Sequence, residues 1–406
     1  IIKKGKTVKF YGNYIYDARF ARDYIFRMDL FEEVSELFVR YDSADEKRVE
    51  FHMHTNYSEM DGISDAGEYL EQAFDWGHPG MVITDHNCVQ SFPKAYKKLK
   101  GLRKDHPDHK FTLGYGLEMN LVPEYLNIVR NPHGQHLQSG TYVVFDIETT
   151  GLSARYDHII EFGAVLIENG RTVDKMQIFI KPPVPISAFT TKLTSITQSD
   201  VDQAPVWEDA VDSILDFIQD RILVAHNASF DIDFLQEKLR VIGYPILNNT
   251  VIDTLDLSRS VLESRRSYRL GAIARAMKVN YDEQVAHRAD YDAEVLCLVF
   301  LEFLRNPKLA ALSTVNDLDL LNDETSFSSN RPSHINLIAK NQVGLKSIYQ
   351  LVSLSHTRYL TYDTVAQPRI TKGAIEPYRE NLLIGTGCLN SDVFEIAANK
   401  SQSALE

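Results

Sequence analysis

Residues 141–152 read TYVVFDIETTGL, a strongly apolar run interrupted by Asp146 and Glu148. The run has the length and β-branched content of a buried strand. Side chains two apart on a strand share a face, so both carboxylates point the same way. Two acids on an otherwise apolar strand are costly unless cations or donors meet them. Taken alone, the pair also fits surface charges at a strand end. Downstream, residues 159–165 read IIEFGAV, and Asn169-Gly170 supplies a strong hairpin signal. A helix is expected near 208–219, then the strand ILVAHN (222–227), then helices near 229–242, 268–278 and 289–305. Three strands followed by alternating helices and strands predict a mixed sheet flanked by helices.

Two further segments add acids. HNASFD (226–231) puts Asp231 at a strand-to-helix junction, where it could meet a ligand or cap the helix. HRADYD (287–292) contributes His287 and Asp292. Five helical residues turn through roughly 140°, so the two cannot enter one site from one regular helix. Asp292 is therefore expected on the helix and His287 on the loop leading into it. A polar surface histidine is the alternative for His287. Together the set is chemically complete for phosphodiester hydrolysis. Hard carboxylate oxygens suit Mg²⁺ or Mn²⁺. Two such ions can stabilise the attacking and leaving oxygens, and a neutral imidazole can accept the proton of the attacking water.

The flanks have a different pattern. From Val49 to Glu118, VEFHMH, MVITDH and FTLGYGLE read as strands, with helices at 65–76 and 91–104, an α/β order predicting a largely parallel sheet. A polar stretch at 131–140 closes this unit. Residues 311–330 are acidic and rich in Ser and Asn, and read as a linker. Beyond them, a strand, a helix and the strand NLLIGTG return to the first style, so one α/β domain is expected to be split by another. His52, His54, Asp61, His86, Glu118, His334 and Cys388 fall near expected strand ends and form a candidate metal cluster, with Asp85 beside His86. RRSYR (265–269) reads as a solvated helix face or a basic strip for a nucleic-acid strand.

Composition limits the class. With 44% hydrophobic and 24% charged residues, the 406-residue chain is globular and long enough for two or three domains. No apolar run approaches the roughly 20 residues of a membrane helix, so no membrane partner is expected. Three dispersed cysteines are no disulfide framework, and a cytoplasmic location is expected. A net charge of −13 argues against wrapping duplex DNA. The start, IIKKGKTVKF, has no initiator Met and no signal-peptide core, and reads as an interior start.

FDIETTGL, IIEFGAV, HNASFD and HRADYDAE, in that order, resemble the DEDDh exonuclease family, which implies an RNase H-like fold over about 140–305. The resemblance makes Asp146, Glu148, Asp231 and Asp292 metal ligands and His287 the general base. It places Thr149, Thr150, Gly151 and Leu152 beside the 3′-terminal nucleotide, with Phe230 supporting the site and Glu161 acting behind the ligands. For Leu152, Phe230 and Glu161, core packing or a surface charge are the other readings. The flanking histidines resemble the PHP domain, a distorted α/β barrel with a cluster that implies Zn²⁺ or Mn²⁺; a purely structural scaffold is the alternative.

A PHP domain split by a DEDDh exonuclease, with QSFPKAY, LIAKNQVGLKSIYQLVSLSH and IGTGCL, resembles the PolC-type family of replicative DNA polymerases. The implied organisation is 1–47 as the end of an OB-like domain, 48–137 and 331–406 as two PHP parts, 138–308 as the exonuclease and 309–330 as linker. The implied activity is proofreading 3′→5′ hydrolysis of DNA, with single-stranded or frayed 3′ ends as substrate. The rest of the polymerase and the replisome are the implied partners. An RNA exonuclease is the alternative. An Asp-x-His normally following the cysteine strand is absent before Glu406, so the PHP barrel is expected to be incomplete at the C-terminus and its ligands poorly oriented.

Overall fold

The structure is a computed structural model and describes residues 6–17, 23–35, 41–262, 265–362 and 365–400. Near the N-terminus, Val8–Asp17 (β1) and Asp23–Glu33 (β2) form an antiparallel two-stranded ribbon. It exposes aromatic side chains, among them Tyr14 stacked on Tyr24 at 5.3 Å.

The first α/β unit starts with the helix Ala66–Asp75 (α1), capped by Asp65 and Glu68 in a reciprocal capping box. Gly80–Ile83 (β3), Phe92–Asp105 (α2) and Thr112–Val122 (β4) follow. β3 runs parallel to β4. VEFHMH is not a regular strand: it runs beside β3, giving Glu50 O to Val82 N at 2.8 Å and Met53 O to Thr84 N at 2.9 Å.

Val129–Arg130 (β5) then enters a second, six-stranded sheet. Its other strands are Thr141–Thr149 (β6), Ile159–Glu168 (β7), Arg171–Phe179 (β8), Ile222–Ala225 (β9) and Val251–Asp253 (β10), in the order β5-β10-β9-β6-β7-β8. β6 is antiparallel to β7 and parallel to β9, so the sheet is mixed as expected. Asn169 and Gly170 form the β7–β8 turn with φ of 48° and 71°, which gives both turn residues the positive φ that a tight hairpin favours. Ala188–Thr194 (α3), Gln198–Asp202 (α4) and Trp207–Ile218 (α5) precede β9; Ala228–Val241 (α6) follows it. Thr254–Val261 (α7), Leu270–Ala276 (α8), Ala289–Leu304 (α9) and Pro307–Ala310 (α10) complete the layer. One apolar core joins Phe145, Phe162 and Ile214; the other joins Tyr142, Val299 and Phe300. The basic run 265–269 lies in a loop before α8 rather than on a helix face, because Tyr268 packs against the second core.

The expected linker is built into this unit. Val315–Leu321 is a 3₁₀ helix whose Val315 and Leu318 are buried in the same core as Ile128 and Leu137. Val315 N also donates to Gln135 O at 2.9 Å. The packing of the six-stranded sheet therefore begins upstream of residue 138 and continues past 308.

The last unit comprises Ser333–Ala339 (β11), Gln342–Ser355 (α11), Leu360–Tyr362 (β12), Ala366–Pro368 (β13), Ile370–Thr371 (β14), Lys372–Ile375 (α12), Leu382–Gly385 (β15) and Asp392–Asn399 (α13). β11 inserts between β4 and β15, returning the chain to the first sheet, and is antiparallel to both. The split of one α/β unit by another is thus seen, but the expected largely parallel order is not. Among the described residues the sheet is open, in the order β14-β4-β11-β15 with β3 on β4. No helix among the described residues is long and apolar enough to cross a membrane.

Candidate active site and histidine cluster

β6, α6 and α9 position the acids. Asp146 and Glu148 leave β6 on one face and are half-buried. β6 pairs with β9 through Val144 and Val224, so the turn after β9 opens beside Asp146. That turn is fixed by Asp253, buried at the end of β10, whose carboxylate accepts from Asn227 N at 3.1 Å and Ala228 N at 2.9 Å. Asn227 takes φ of 68° there, a conformation asparagine tolerates. α6 then brings in Asp231, buried, with its carboxylate accepting from the Ile147 backbone. His226 points elsewhere, to Thr254 Oγ1 and the Tyr268 carbonyl, and burial pushes its pKa down to about 4.

Asp292 sits in the first turn of α9 and is buried; Oδ2 accepts from His287 N at 2.9 Å, while Oδ1 has no hydrogen-bond partner. His287 is exposed on the loop, with φ of 64°. The division expected from helix geometry, Asp292 on the helix and His287 before it, is the one observed. One ligand atom each from Glu148, His287 and Asp292 lies within 4.8 Å of the others.

The electrostatics follow from crowding. Burial first, then Asp231, Glu148 and Asp292, hold the Asp146 carboxyl well above the usual range. Burial and then Asp292, Glu161 and Asp231 push Glu148 up to about 8. Burial likewise raises Asp231 and Asp292. Four acids of one sign, with an unpartnered buried oxygen on Asp292, are the donor set that a hard divalent cation fits.

The neighbouring loop supplies a rim. Thr149 Oγ1 donates to Gly151 O at 2.6 Å, and Thr150 Oγ1 accepts from His158 N at 3.0 Å. A Cβ on Gly151 would meet the Asp157 carboxylate at 2.5 Å. Leu152 is 81% exposed, which excludes a core role for it. Phe230 packs against the apolar core, 4.9 Å from Phe234. Glu161 is fully buried on β7, which excludes the surface-charge reading. Asp253 was missed in the sequence; its signal was an acid ending the short apolar strand VID before a helix start.

The second cluster gathers on the other sheet. His52 Nε2 and His54 Nε2 are 2.9 Å apart, and the His54 ring stacks on His86 at 4.1 Å. Asp61 Oδ2 lies 3.0 Å from His86 Nε2. Glu118 is buried in the middle of β4, not at a strand end as expected. His52 touches its Oε2, while His86 Nδ1 and His334 Nδ1 lie 3.0 and 2.6 Å from Oε1. Both Glu118 oxygens are buried, with the imidazoles of His52, His86 and His334 set closely against them. Cys388 Sγ lies 3.2 Å from His334 Nδ1. His52, His54, Asp61, His86, Glu118 and His334 fall in overlapping groups of three whose ligand atoms lie within 4.8 Å of one another, and Cys388 lies beside His334. Antiparallel pairing of β11 with β4 sets His334 opposite Asn120, two residues from Glu118. Asp85 is not among the clustered ligands: Thr55, Ser58 and Ser91 all donate to it, so it anchors the 55–58 turn.

Residues 143–300 match the Exonuclease family. Over 403 residues, 99% of its length, the chain is 38% identical to DNA polymerase III PolC-type of Staphylococcus aureus, and spans 27% of that relative. Among solved structures, Exonuclease X in complex with 5′ overhanging duplex DNA is 25% identical, covering 44% of this chain and 98% of its own at a TM-score of 0.35. The nuclease domain of 3′hExo, a DEDDh family member bound to rAMP, is 18% identical, covering 43% and 96% at a TM-score of 0.39. The chain is thus similar to DNA polymerase III PolC-type over nearly its whole length, and the match to the Exonuclease family falls within 143–300.

Proposed function

We propose that this chain is a metal-dependent 3′→5′ exonuclease that removes nucleotides from DNA 3′ ends as the proofreading region of a replicative polymerase. The observation that carries this reading is the convergence of Asp146, Glu148, Asp231 and Asp292 with His287 inside the Exonuclease-family segment. In this reading the four carboxylates hold two divalent ions, Mg²⁺ or Mn²⁺. Those ions would supply positive charge to the attacking and leaving oxygens. His287, exposed at the mouth, accepts a proton from the attacking water. Thr149, Thr150, Gly151 and Leu152 border the terminal nucleotide, with Phe230 behind them. The net charge of −13 disfavours a paired end and favours a frayed one.

The surrounding assignments belong to the same reading. Residues 1–47 are the end of an OB-like domain; 48–137 and 331–406 are parts of a PHP domain; 138–308 is an RNase H-like exonuclease inserted between them, and 309–330 leads back while packing on it through Val315 and Leu318. The imidazole-rich cluster suits Zn²⁺ or Mn²⁺. The remaining polymerase and its replisome are the partners, in the cytoplasm.

The test is degradation of a 5′-labelled single-stranded DNA with Mg²⁺, Mn²⁺ or EDTA, beside an RNA of the same sequence and duplexes with matched or mismatched 3′ ends. Stepwise shortening from the 3′ end, blocked by EDTA and faster on DNA and on mismatches, is expected. Equal rates on matched and mismatched ends would remove the proofreading role, and a preference for RNA would replace the substrate.

A further inference from the structure

Glu161 faces the acidic site, yet its oxygens are engaged elsewhere. It pairs in register with Glu148 across β6 and β7, so the two side chains share a face. A fifth carboxylate there adds repulsion unless it is neutralised locally. Four donors do so. Arg288 Nε and Nη2 reach its two oxygens at 3.2 and 3.0 Å, Gln177 Nε2 donates at 2.7 Å, and Ala289 N at 3.0 Å. With both oxygens occupied, Glu161 is not a spare metal ligand.

What it grips is the start of α9. Arg288 occupies the N-cap position and makes no side-chain capping bond. The first amide of the helix, on Ala289, would be left without an acceptor. Glu161 supplies that acceptor from a neighbouring strand, and its charge suits a helix N-terminus. Gly163, on the same face of β7, makes the approach possible: a Cβ there would lie 2.2–2.3 Å from Ala289 and Asp290 backbone atoms. The turn that Glu161 fixes on one side is fixed on the other by Asp292, through His287 N. His287 holds φ of 64° between the two.

We propose that Glu161 and Arg288 are positioning residues, an external cap on α9 that sets His287 in the geometry the reaction needs. This rests on the exonuclease reading above. A misplacement of about 1 Å can cost about a hundredfold in rate. E161Q should therefore lower kcat by roughly tenfold to a hundredfold and change KM by less than about threefold. R288Q should do the same, and R288K should recover part of the loss. Because the pair acts through His287, E161Q/H287A should be no slower than H287A within about threefold.

Amide exchange provides a readout independent of turnover. In E161Q, residues 286–292 should exchange faster while β6 keeps its protection. R288Q, at the exposed edge of the pair, carries the test if E161Q does not fold. Unchanged kcat in both variants overturns the proposal. Losses that multiply in the double variant, or exchange that rises through β6 as well, overturn it too. A wild-type chain that cleaves nothing, with the local exchange change still present, sinks the exonuclease reading and leaves the cap standing.

Discussion

The acidic site and the histidine cluster are both built from side chains that meet across separate elements, yet their charge balance is opposite. On the six-stranded sheet, four carboxylates crowd together and each is driven toward its protonated form. On the other sheet, one buried carboxylate, Glu118, faces several imidazoles and is held well below its usual range despite its burial, chiefly by His334 and His86. The first site gathers charge of one sign; the second sets imidazoles against its carboxylate. Hard oxygen donors favour Mg²⁺ or Mn²⁺, whereas imidazoles with a nearby thiol favour softer metals. The two donor sets thus differ in ligand type within one chain.

Removing Asp146 should break the first half of this comparison most sharply. D146A is expected to lose activity by roughly a thousandfold or more, because charge stabilisation at the reacting oxygens is worth several kcal/mol. Its thermal stability should not fall, since one repulsive charge is gone. Activity within about tenfold of wild type in a steady-state DNA assay would refute the ligand assignment.

His287 stands outside the carboxylate set, so its loss should be smaller. H287A is expected to slow hydrolysis by about 10²–10⁴, with metal binding retained by calorimetry. An unaltered rate would take His287 out of the mechanism.

The second half is tested by metal retention. His52, His54, Asp61, His86, Glu118 and His334 fall in overlapping groups with ligand atoms within 4.8 Å, so the chain should keep at least about one equivalent of transition metal after dialysis against a mild chelator. H52A/H54A should lose it and leave the exonuclease rate unchanged. Metal content that is the same in both proteins would dissolve the contrast between the two sites.

The smallest effect concerns stability against pH. The Glu148 pKa is raised from an unfolded value of about 4.3 to about 8 in the fold. A group raised in this way contributes stability below its unfolded pKa and loses it as pH rises through the folded one. In a chelator, the unfolding midpoint of wild type should fall between about pH 5 and pH 8, and fall less in E148Q. Added Mg²⁺ should flatten the wild-type curve. Glu118, held low, contributes in the opposite sense, with stability lost as pH falls; the E148Q difference separates the two. Parallel curves for wild type and E148Q would show that the acids do not repel as their geometry implies.

The sequence by itself determined a good deal of this. Asp146 and Glu148 share a face because strand side chains alternate, and Asp292 and His287 divide between helix and loop because helical rotation requires it. The Asn169-Gly170 hairpin and the interruption of one α/β unit by another were likewise readable, since turn chemistry and periodicity are local. Strand direction was not. β11 is antiparallel to β4, and 49–54 lies beside β3 without forming a regular strand. Pairing partners are chosen by contacts far apart in the chain, which no short window records. The acidic segment 311–330 reads as a linker by composition, but Val315 and Leu318 are buried, because a few apolar residues suffice to pin a polar segment. Only the tertiary structure decided that Glu161 caps α9 from 128 residues away, that Asp253 holds the turn before Asp231, and that Glu118 meets its histidines from mid-strand. Each is a polar group whose partner is set by long-range packing, and a buried polar atom takes its role from the partner it meets.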